Sequence, residues 1–314
     1  MTAKVFIDGE AGTTGLQIQS RLKARGDIKL LHLSDAERKD SQRRAAMLNE
    51  ADVSILCLPD DAAKEAVSMI EDKSARVIDA STAHRINPDW TYGFPEHTSA
   101  RPGEIKVAKR VTNPGCYACG AVSFLHPLVK AGILPADHPV TINAVSGYSG
   151  GGKSLIAAFE DPKAANATDS NFYLYGLSLE HKHVPEIEKH GSLARRPIFV
   201  PSVGRFAQGM IVSLPLHLWA LPGSTKAADV HAALADHYAG RDGAKGVKVS
   251  SLKEAAAYKD KLDAEDLNDT DGLNLHVFAN DAREQVVVCA VLDNLGKGAS
   301  GQAVQNLELM LGLI

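Results

Sequence analysis

The chain has 314 residues, 45% of them hydrophobic, and a formal net charge of -4. That length buries a large core and usually divides into two domains, while the slight acidity argues against a basic face for nucleic acid. No run of about 18 apolar residues is available to span a membrane, MTAKVFIDGE lacks the layout of a signal peptide, and four cysteines are too few for a disulfide framework. The expectation is a reduced, cytoplasmic, globular protein that binds neither nucleic acid nor membrane.

KVFIDG (4–9) is a short apolar run ending in glycine and reads as a strand. Helical spacing of Leu16, Ile18 and Leu22 follows, with Gly26 as the stop. IKLLHLS (28–34) reads as a second strand and ADVSILCLP (51–59) as a third, nearly all apolar as a strand buried on both faces should be. DDAAKEAVSMI (60–70) is a helix whose acidic first turn suits the helix dipole. ARVIDAS (75–81) is a fourth strand, and EIKVAKRVTNPG (104–115) reaches a loop before the apolar helix GAVSFLHPLVKAG. This alternation predicts βαβ units, an α/β fold with a Rossmann-type doubly wound parallel sheet.

The pattern then changes. VTINAVSGYSGGG (140–152) reads as a strand running into a flexible glycine-rich loop. PIFVPSVGRFAQGMIVSLPLHL (197–218) reads as sheet with turns, and KAADVHAALADHYAG (226–240) as an amphipathic helix. In LNLHVFANDAREQVVVCAVLDN (273–294) the residues REQ separate two strand-like runs, which predicts antiparallel pairing. KGASGQAVQNLELMLGLI (297–314) is a terminal helix. The expected organisation is a nucleotide-binding domain over 1–115, an α+β catalytic domain with a mixed or antiparallel sheet over 116–294, and a helix over 295–314 that returns to the first domain. The boundary falls at the cysteine motif, and a domain boundary is a common place for an active site.

Gly9, Gly12 and Gly15 in GEAGTTG lie between the first strand and the first helix. In that context glycine lets backbone N–H groups approach a pyrophosphate at a helix N-terminus. The end of the second strand, LSDAERKD, bears on cofactor choice. Ser34, Arg38 and Lys39 favour the 2′-phosphate of NADP, whereas Asp35 favours the ribose hydroxyl of NAD. A solvated charged loop accounts equally well for Arg38 and Lys39.

TNPGCYACG (112–120) contains two cysteines spaced C-x-x-C. A redox pair or a zinc site is the first alternative, but there is no second C-x-x-C, and Cys57 and Cys289 sit inside strand-like apolar runs as core residues. No metal is expected. Cys116 follows Pro114-Gly115 at a helix start, where N–H groups and the dipole stabilise a thiolate. Such a thiolate beside a nicotinamide suits attack on an acyl phosphate, thioester formation and hydride delivery. The acid/base that this chemistry needs is offered by LEHKHVPEIEKH (179–190), where His181, His183 and Glu186 cluster at the start of a helix.

GEAGTTG, NPGCY, SGYSGGGKS, EHKHVPEI, VPSVGRFAQGM and DNLGKGASGQAVQN occur in that order. Together they resemble the N-acetyl-gamma-glutamyl-phosphate reductases of the shorter form, in the semialdehyde dehydrogenase family, over residues 4 to 312. The resemblance implies an NADP(H)-dependent, phosphate-releasing reduction of an acyl phosphate to a semialdehyde in arginine biosynthesis. It implies that Cys116 forms the thioester and that His181 or His183 is the acid/base, with His183 preferred as nearer the helix start. Gly12, Thr13 and Thr14 would line the cofactor phosphates; Ser81, Ser149, Gly150 and Asn294 would lie toward the nicotinamide. Asn113 and either Arg85 or Arg110 would meet the substrate. The implied partners are a small-molecule substrate and phosphate, with a homo-oligomer, dimer or tetramer, formed through the second domain. Longer members typically carry threonine where this chain has Cys119, which marks Cys119 as a wall residue. Aspartate-semialdehyde dehydrogenase, a reductase of carrier-bound aminoadipyl phosphate and a non-catalytic NADP-binding regulator are the competing readings. The segment EHKHVPEI disfavours the first, whose members carry arginine ahead of the histidine.

Overall fold

A computed structural model of the chain describes residues 2–72, 74–241, 245–258 and 261–314. It divides into two compact units, one of residues 1–115 with 299–314 and one of residues 116–298.

The first unit opens with strand β1 (Ala3–Asp8), helix α1 (Thr13–Leu22), β2 (Ile28–Leu31), α2 (Ser41–Glu50), β3 (Val53–Leu56), α3 (Asp60–Ser68) and β4 (Arg76–Asp79). It continues with β5 (Thr91–Tyr92), α4 (Arg101–Val107) and β6 (Arg110–Thr112). All six strands are parallel, in the order β2-β1-β3-β4-β6-β5. Alternate side chains of β1 feed two cores: Val5 and Ile7 pack with Ile18, Leu22 and Ile105, while Phe6 packs with Leu48, Ala63 and Ala66. Helices therefore cover both faces, and every residue of β3 is buried. The order reverses between β1 and β3, the switch point at which such sheets bind nucleotides. Helix α2 has no strong apolar period in the sequence; it starts because Asp40 accepts the N–H groups of Gln42 and Arg43. Strand β2 ends at Leu31, three residues before the expected Ser34.

The second unit begins with α5 (Cys116–Lys130), β7 (Thr141–Gly147), α6 (Gly152–Glu160), β8 (Phe172–Leu174), α7 (Val184–His190) and β9 (Ile198–Gly204). It ends with β10 (Met210–His217), α8 (Ala227–Tyr238), β11 (Val247–Val249), α9 (Leu252–Ala256), β12 (Leu273–Asn280) and β13 (Gln285–Leu292). The seven strands form a mixed sheet, β11-β12-β13-β10-β7-β9-β8. The two runs flanking REQ pair antiparallel, from Leu273 with Leu292 to Asn280 with Gln285. Gly147–Gly152 is not an open loop: a 3-10 turn over Tyr148–Gly151 leads straight into α6. Small residues in SGGGKS allow that tight entry, which composition alone reads as flexible. Helix α5 is buried from Tyr117 to Leu128 and packs on β10, β13, α7 and α8.

The C-terminal helix α10 (Gly301–Leu311) belongs to the first unit. Ala303, Val304 and Leu307 join the core of β1 and β3, and Glu308 pairs with Arg25 at 2.5 Å. Asn306 donates to Gly93 O at 2.9 Å and to Asn113 Oδ1 at 3.0 Å.

One buried histidine of the second sheet gives a pH signature. His276 on β12 is 1% exposed and lies opposite Cys289. Burial, with a contribution from Lys248 and opposed by Glu254, pushes its pKa down to about 4. The unfolded chain takes up that proton near pH 6.5, so stability is full above this pH and is lost as pH falls toward 4. Replacing His276 with leucine should recover about 1–2 kcal/mol at pH 5, read as a smaller fall of the urea midpoint between pH 7 and 5. An unchanged acid slope excludes His276 as its source.

Candidate active site

In the first unit the chain leaves β1 through Gly9, which has φ +88°. A Cβ there would stand 2.3 Å from Cys57 O at the end of β3, and one on Gly15 would stand 2.4 Å from Gly9 O. The turn closes with Gly12 N–H on Gly9 O at 3.0 Å. Gly12 caps α1 without a side-chain hydrogen bond, so the N-cap residue brings no side-chain acceptor to the first N–H groups of the helix. A cleft of about 440 Å³ adjoins the turn and is lined by Asp8–Gly12, Leu33, Arg38, Lys39, Arg44, Leu58 and Pro59. Glycine cradle, uncapped helix start and cations together fit a dinucleotide with a phosphate on its ribose.

Ser34 does not line that cleft; its hydroxyl donates to Glu37 at 2.7 Å. Arg38 does line it and pairs at its surface with Asp35 at 3.3 Å. Arg44, which no sequence signal singles out, is 8% exposed and donates to Asp8 at 2.9 Å and to Glu65 at 3.1 Å. It ties α2 and α3 to the end of β1 beneath the glycine turn.

The turn after β4 is built on Asp79, which is wholly buried. Its carboxylate accepts from Ser81 N–H (2.9 Å), Ser81 Oγ (2.8 Å) and His84 Nδ1 (2.6 Å), and His84 stacks on Trp90 at 4.1 Å. Arg85 donates to Asn113 O at 3.2 Å and Ala80 O at 3.0 Å. Asn113 is 1% exposed and gives its amide N–H to Ala299 O at 3.0 Å. Arg85 therefore stands at the C-terminal edge of the parallel sheet, with the glycine turn. Arg110 opens β6 at the opposite edge and donates to Ala75 O at 2.8 Å. The structure thus separates the two arginines that the sequence left equivalent, and Arg110 lies away from the ligand-binding edge.

In the second unit Cys116 is the first residue of α5 and is partly exposed. Its neighbour Tyr117 accepts from Tyr175 Oη at 3.1 Å and donates to Ser202 O at 3.1 Å. Burial raises both phenols' pKa values, with a smaller contribution from Cys116 to each, which puts Cys116 within electrostatic reach of both hydroxyls. His181 and His183 stack on one another with centroids 4.9 Å apart and meet the Tyr117 ring edge-on at 5.9 and 5.7 Å. His183 is the N-cap residue of α7 and is 6% exposed. Its backbone N–H donates to His181 Nδ1 at 3.2 Å, and the two Nδ1 atoms are 3.3 Å apart. Burial, aided by Lys182, pushes His181 down to about 4. His181 is therefore neutral, and its Nδ1 accepts the backbone N–H of His183. Glu186 is buried one turn into α7.

Asn294, just beyond β13, accepts from Gly209 N–H at 2.8 Å and donates to Ser149 Oγ at 3.0 Å. Gly150, beside Ser149, is exposed. The tyrosine pair, Asp79, His84 and Arg44 are the members that sequence reasoning missed. Of these, only Tyr175 carried a usable signal, an aromatic run (172–175) just upstream of the histidines. Among the described residues no group of three or more His, Cys, Asp or Glu side chains is placed to hold a metal ion.

Residues 11–104 match the family model described as the semialdehyde dehydrogenase NAD binding domain, and residues 116–294 match that of the semialdehyde dehydrogenase dimerisation domain. The N-acetyl-gamma-glutamyl-phosphate reductase of Brucella suis is 56% identical, with 99% of this chain and 100% of that protein covered. The protein of the same name from Brucella ovis is 55% identical over the same shares. Among solved structures, aspartate semialdehyde dehydrogenase II from Vibrio cholerae superposes with a TM-score of 0.68 at 16% identity, covering 99% of both chains. The aspartate semialdehyde dehydrogenase from Francisella tularensis gives 0.71 at 12% identity, covering 100% of both chains. The structural likenesses establish a shared fold, and the sequence identities go further: the chain belongs to the N-acetyl-gamma-glutamyl-phosphate reductases of the semialdehyde dehydrogenase family.

Proposed function

We propose that this chain reduces N-acetyl-gamma-glutamyl phosphate to N-acetyl-L-glutamate 5-semialdehyde with NADPH, releasing phosphate, as a step of arginine biosynthesis. The observation that carries the reading is Cys116 at the first position of α5, whose next residue, Tyr117, meets the paired imidazoles of His181 and His183 edge-on. Relatives of that name at 55–56% identity over their whole length support it.

The Cys116 thiolate attacks the acyl carbon, the bond from that carbon to the phosphate oxygen breaks, and phosphate departs with the electron pair. NADPH, when bound, supplies the hydride that reduces the resulting thioester. The carbon–sulfur bond then breaks, its electrons return to Cys116, and the aldehyde leaves. We assign the acid/base to His183. Its ring stacks on His181, which burial keeps neutral, so the proton exchange with the reacting oxygens falls to His183. Glu186 is assigned to stabilise the protonated form of that ring. Gly9, Gly12, Thr13, Thr14 and Gly15 take the cofactor phosphates, and Arg38 with Lys39 takes the 2′-phosphate. Ser81, Ser149, Gly150 and Asn294 retain the nicotinamide-end roles that the resemblance implies. Arg85, rather than Arg110, is assigned to the substrate's negative charge.

The second sheet supports a homodimer. Helices α5 and α8 cover one face, while the other presents a groove of about 380 Å³ lined by Val145, Phe172, Leu174, Val200 and Ile211. Phe172 and Leu174 are 56% and 46% exposed. The match to a dimerisation domain argues that a second copy of this chain covers that face.

Cys116→Ala should abolish NADP reduction by N-acetylglutamate semialdehyde plus phosphate, with a loss above about 10³-fold; full activity in that variant refutes the nucleophile. His183→Asn should cost about 10²–10⁴-fold in kcat, and His181→Asn about tenfold less; the reverse order moves the acid/base to His181. Phe172→Asp with Ile211→Asp should yield a monomer by light scattering, and an unchanged oligomer refutes the assigned face.

A further inference from the structure

The second cysteine of the C-x-x-C has no part in the chemistry above, yet it is wholly buried and its contact is specific. Cys119 lies on α5 one turn beyond Cys116, and its Sγ is 3.8 Å from the carbonyl oxygen of Lys297. The following residue, Gly298, meets the nucleophile itself. A Cβ on Gly298 would lie 2.8 Å from the Cβ of Cys116 and 3.3 Å from its Cα. The Lys297–Gly298 peptide thus closes on the first turn of α5 at two places: Lys297 O meets Cys119 Sγ, and Gly298 stands where a side chain would strike Cys116 Cβ.

That peptide is itself anchored. Gly298 N–H donates to Asp293 O at 2.9 Å. The Asp293 carboxylate, 1% exposed, accepts from Gln208 Nε2 (2.6 Å), Leu295 N–H (2.8 Å) and Asp269 N–H (2.9 Å). The Lys297 ammonium is fully buried and donates to Lys245 O at 2.5 Å. A buried ammonium is costly unless its hydrogen bonds are met, so this anchor holds the turn in one place.

We propose that Cys119, Lys297 and Gly298 are positioning residues for Cys116. Gly298 forms a wall against the Cys116 Cβ that limits the rotamers open to its thiol. The Cys119 thiol, donating to the Lys297 carbonyl, fixes how far that wall stands from the helix. This inference rests on the reading of Cys116 as the nucleophile. Misplacement of a reacting atom by about 1 Å costs on the order of a hundredfold, so small changes in the wall should register in rate. Thiols are weak donors, which makes the pair tunable: an alcohol at 119 makes a stronger bond, and valine makes none.

The test measures kcat, KM, Tm and the rate of Cys116 alkylation by iodoacetamide from pH 6 to 10, with Cys116→Ala as control. Gly298→Ala should lower both kcat and the limiting alkylation rate by about tenfold or more, with the KM for NADP within about twofold of wild type. Cys119→Val should lower both rates by about threefold to tenfold, and Cys119→Thr should restore them. Equal rates in Cys119→Val and Cys119→Thr overturn the proposal, as does wild-type alkylation in Gly298→Ala. If Gly298→Ala does not fold, the Cys119 pair decides alone. An active Cys116→Ala overturns the proposed catalytic role instead, and the alkylation rates still report whether the wall positions the thiol.

Discussion

Burial of the helix that carries Cys116 is the constraint around which the second unit is arranged. From Tyr117 to Leu128 every residue of α5 is buried, and the helix packs on β10, β13, α7 and α8. A helix so packed cannot slide or rotate without breaking close contacts on several sides. Gly120 shows how near the sheet comes, since a Cβ there would lie 2.7 Å from Val212 Cγ2. The first residue of this rod is the exception: Cys116 is partly exposed, at the helix end where backbone N–H groups face outward. The thiol is thus held on a rigid element and open at the helix end.

The histidine pair shows the same economy of polar groups. His181 is kept neutral by burial, and its Nδ1 accepts the backbone N–H of His183. The Tyr175–Tyr117–Ser202 chain meets the neighbouring phenols' hydrogen-bonding needs without introducing charge. Two adjacent imidazoles in identical surroundings would share a proton ambiguously. Here burial keeps His181 neutral, which makes the two rings unequal.

In the first unit the constraint is close approach of backbone to backbone at the glycine turn. Gly9 and Gly15 are sites where any side chain would strike the carbonyl of Cys57 or of Gly9. Arg44 and Asp79 lie beneath the turns as buried polar anchors, each meeting several partners at once. Polar groups so enclosed are destabilising unless fully paired, and their pairing locks the turns that present the cleft.

Local chemistry and periodicity determined much of this protein in advance. Alternating strands and helices announced the doubly wound sheet, REQ announced the β12–β13 pairing, and Pro114-Gly115 ahead of Cys116 marked a thiol at a helix start. Each is a short-range property that a few residues dictate. The tertiary structure decided what depends on residues far apart in the chain. It placed Arg85 and Arg110 at opposite edges of one sheet, because strand direction, invisible in either residue, sets the edge. It gave Ser34 to Glu37 and enclosed Asn113 against Ala299 and Asn306. It also brought Lys297 and Gly298 against Cys119 and Cys116, a contact across some 180 residues that no local pattern encodes.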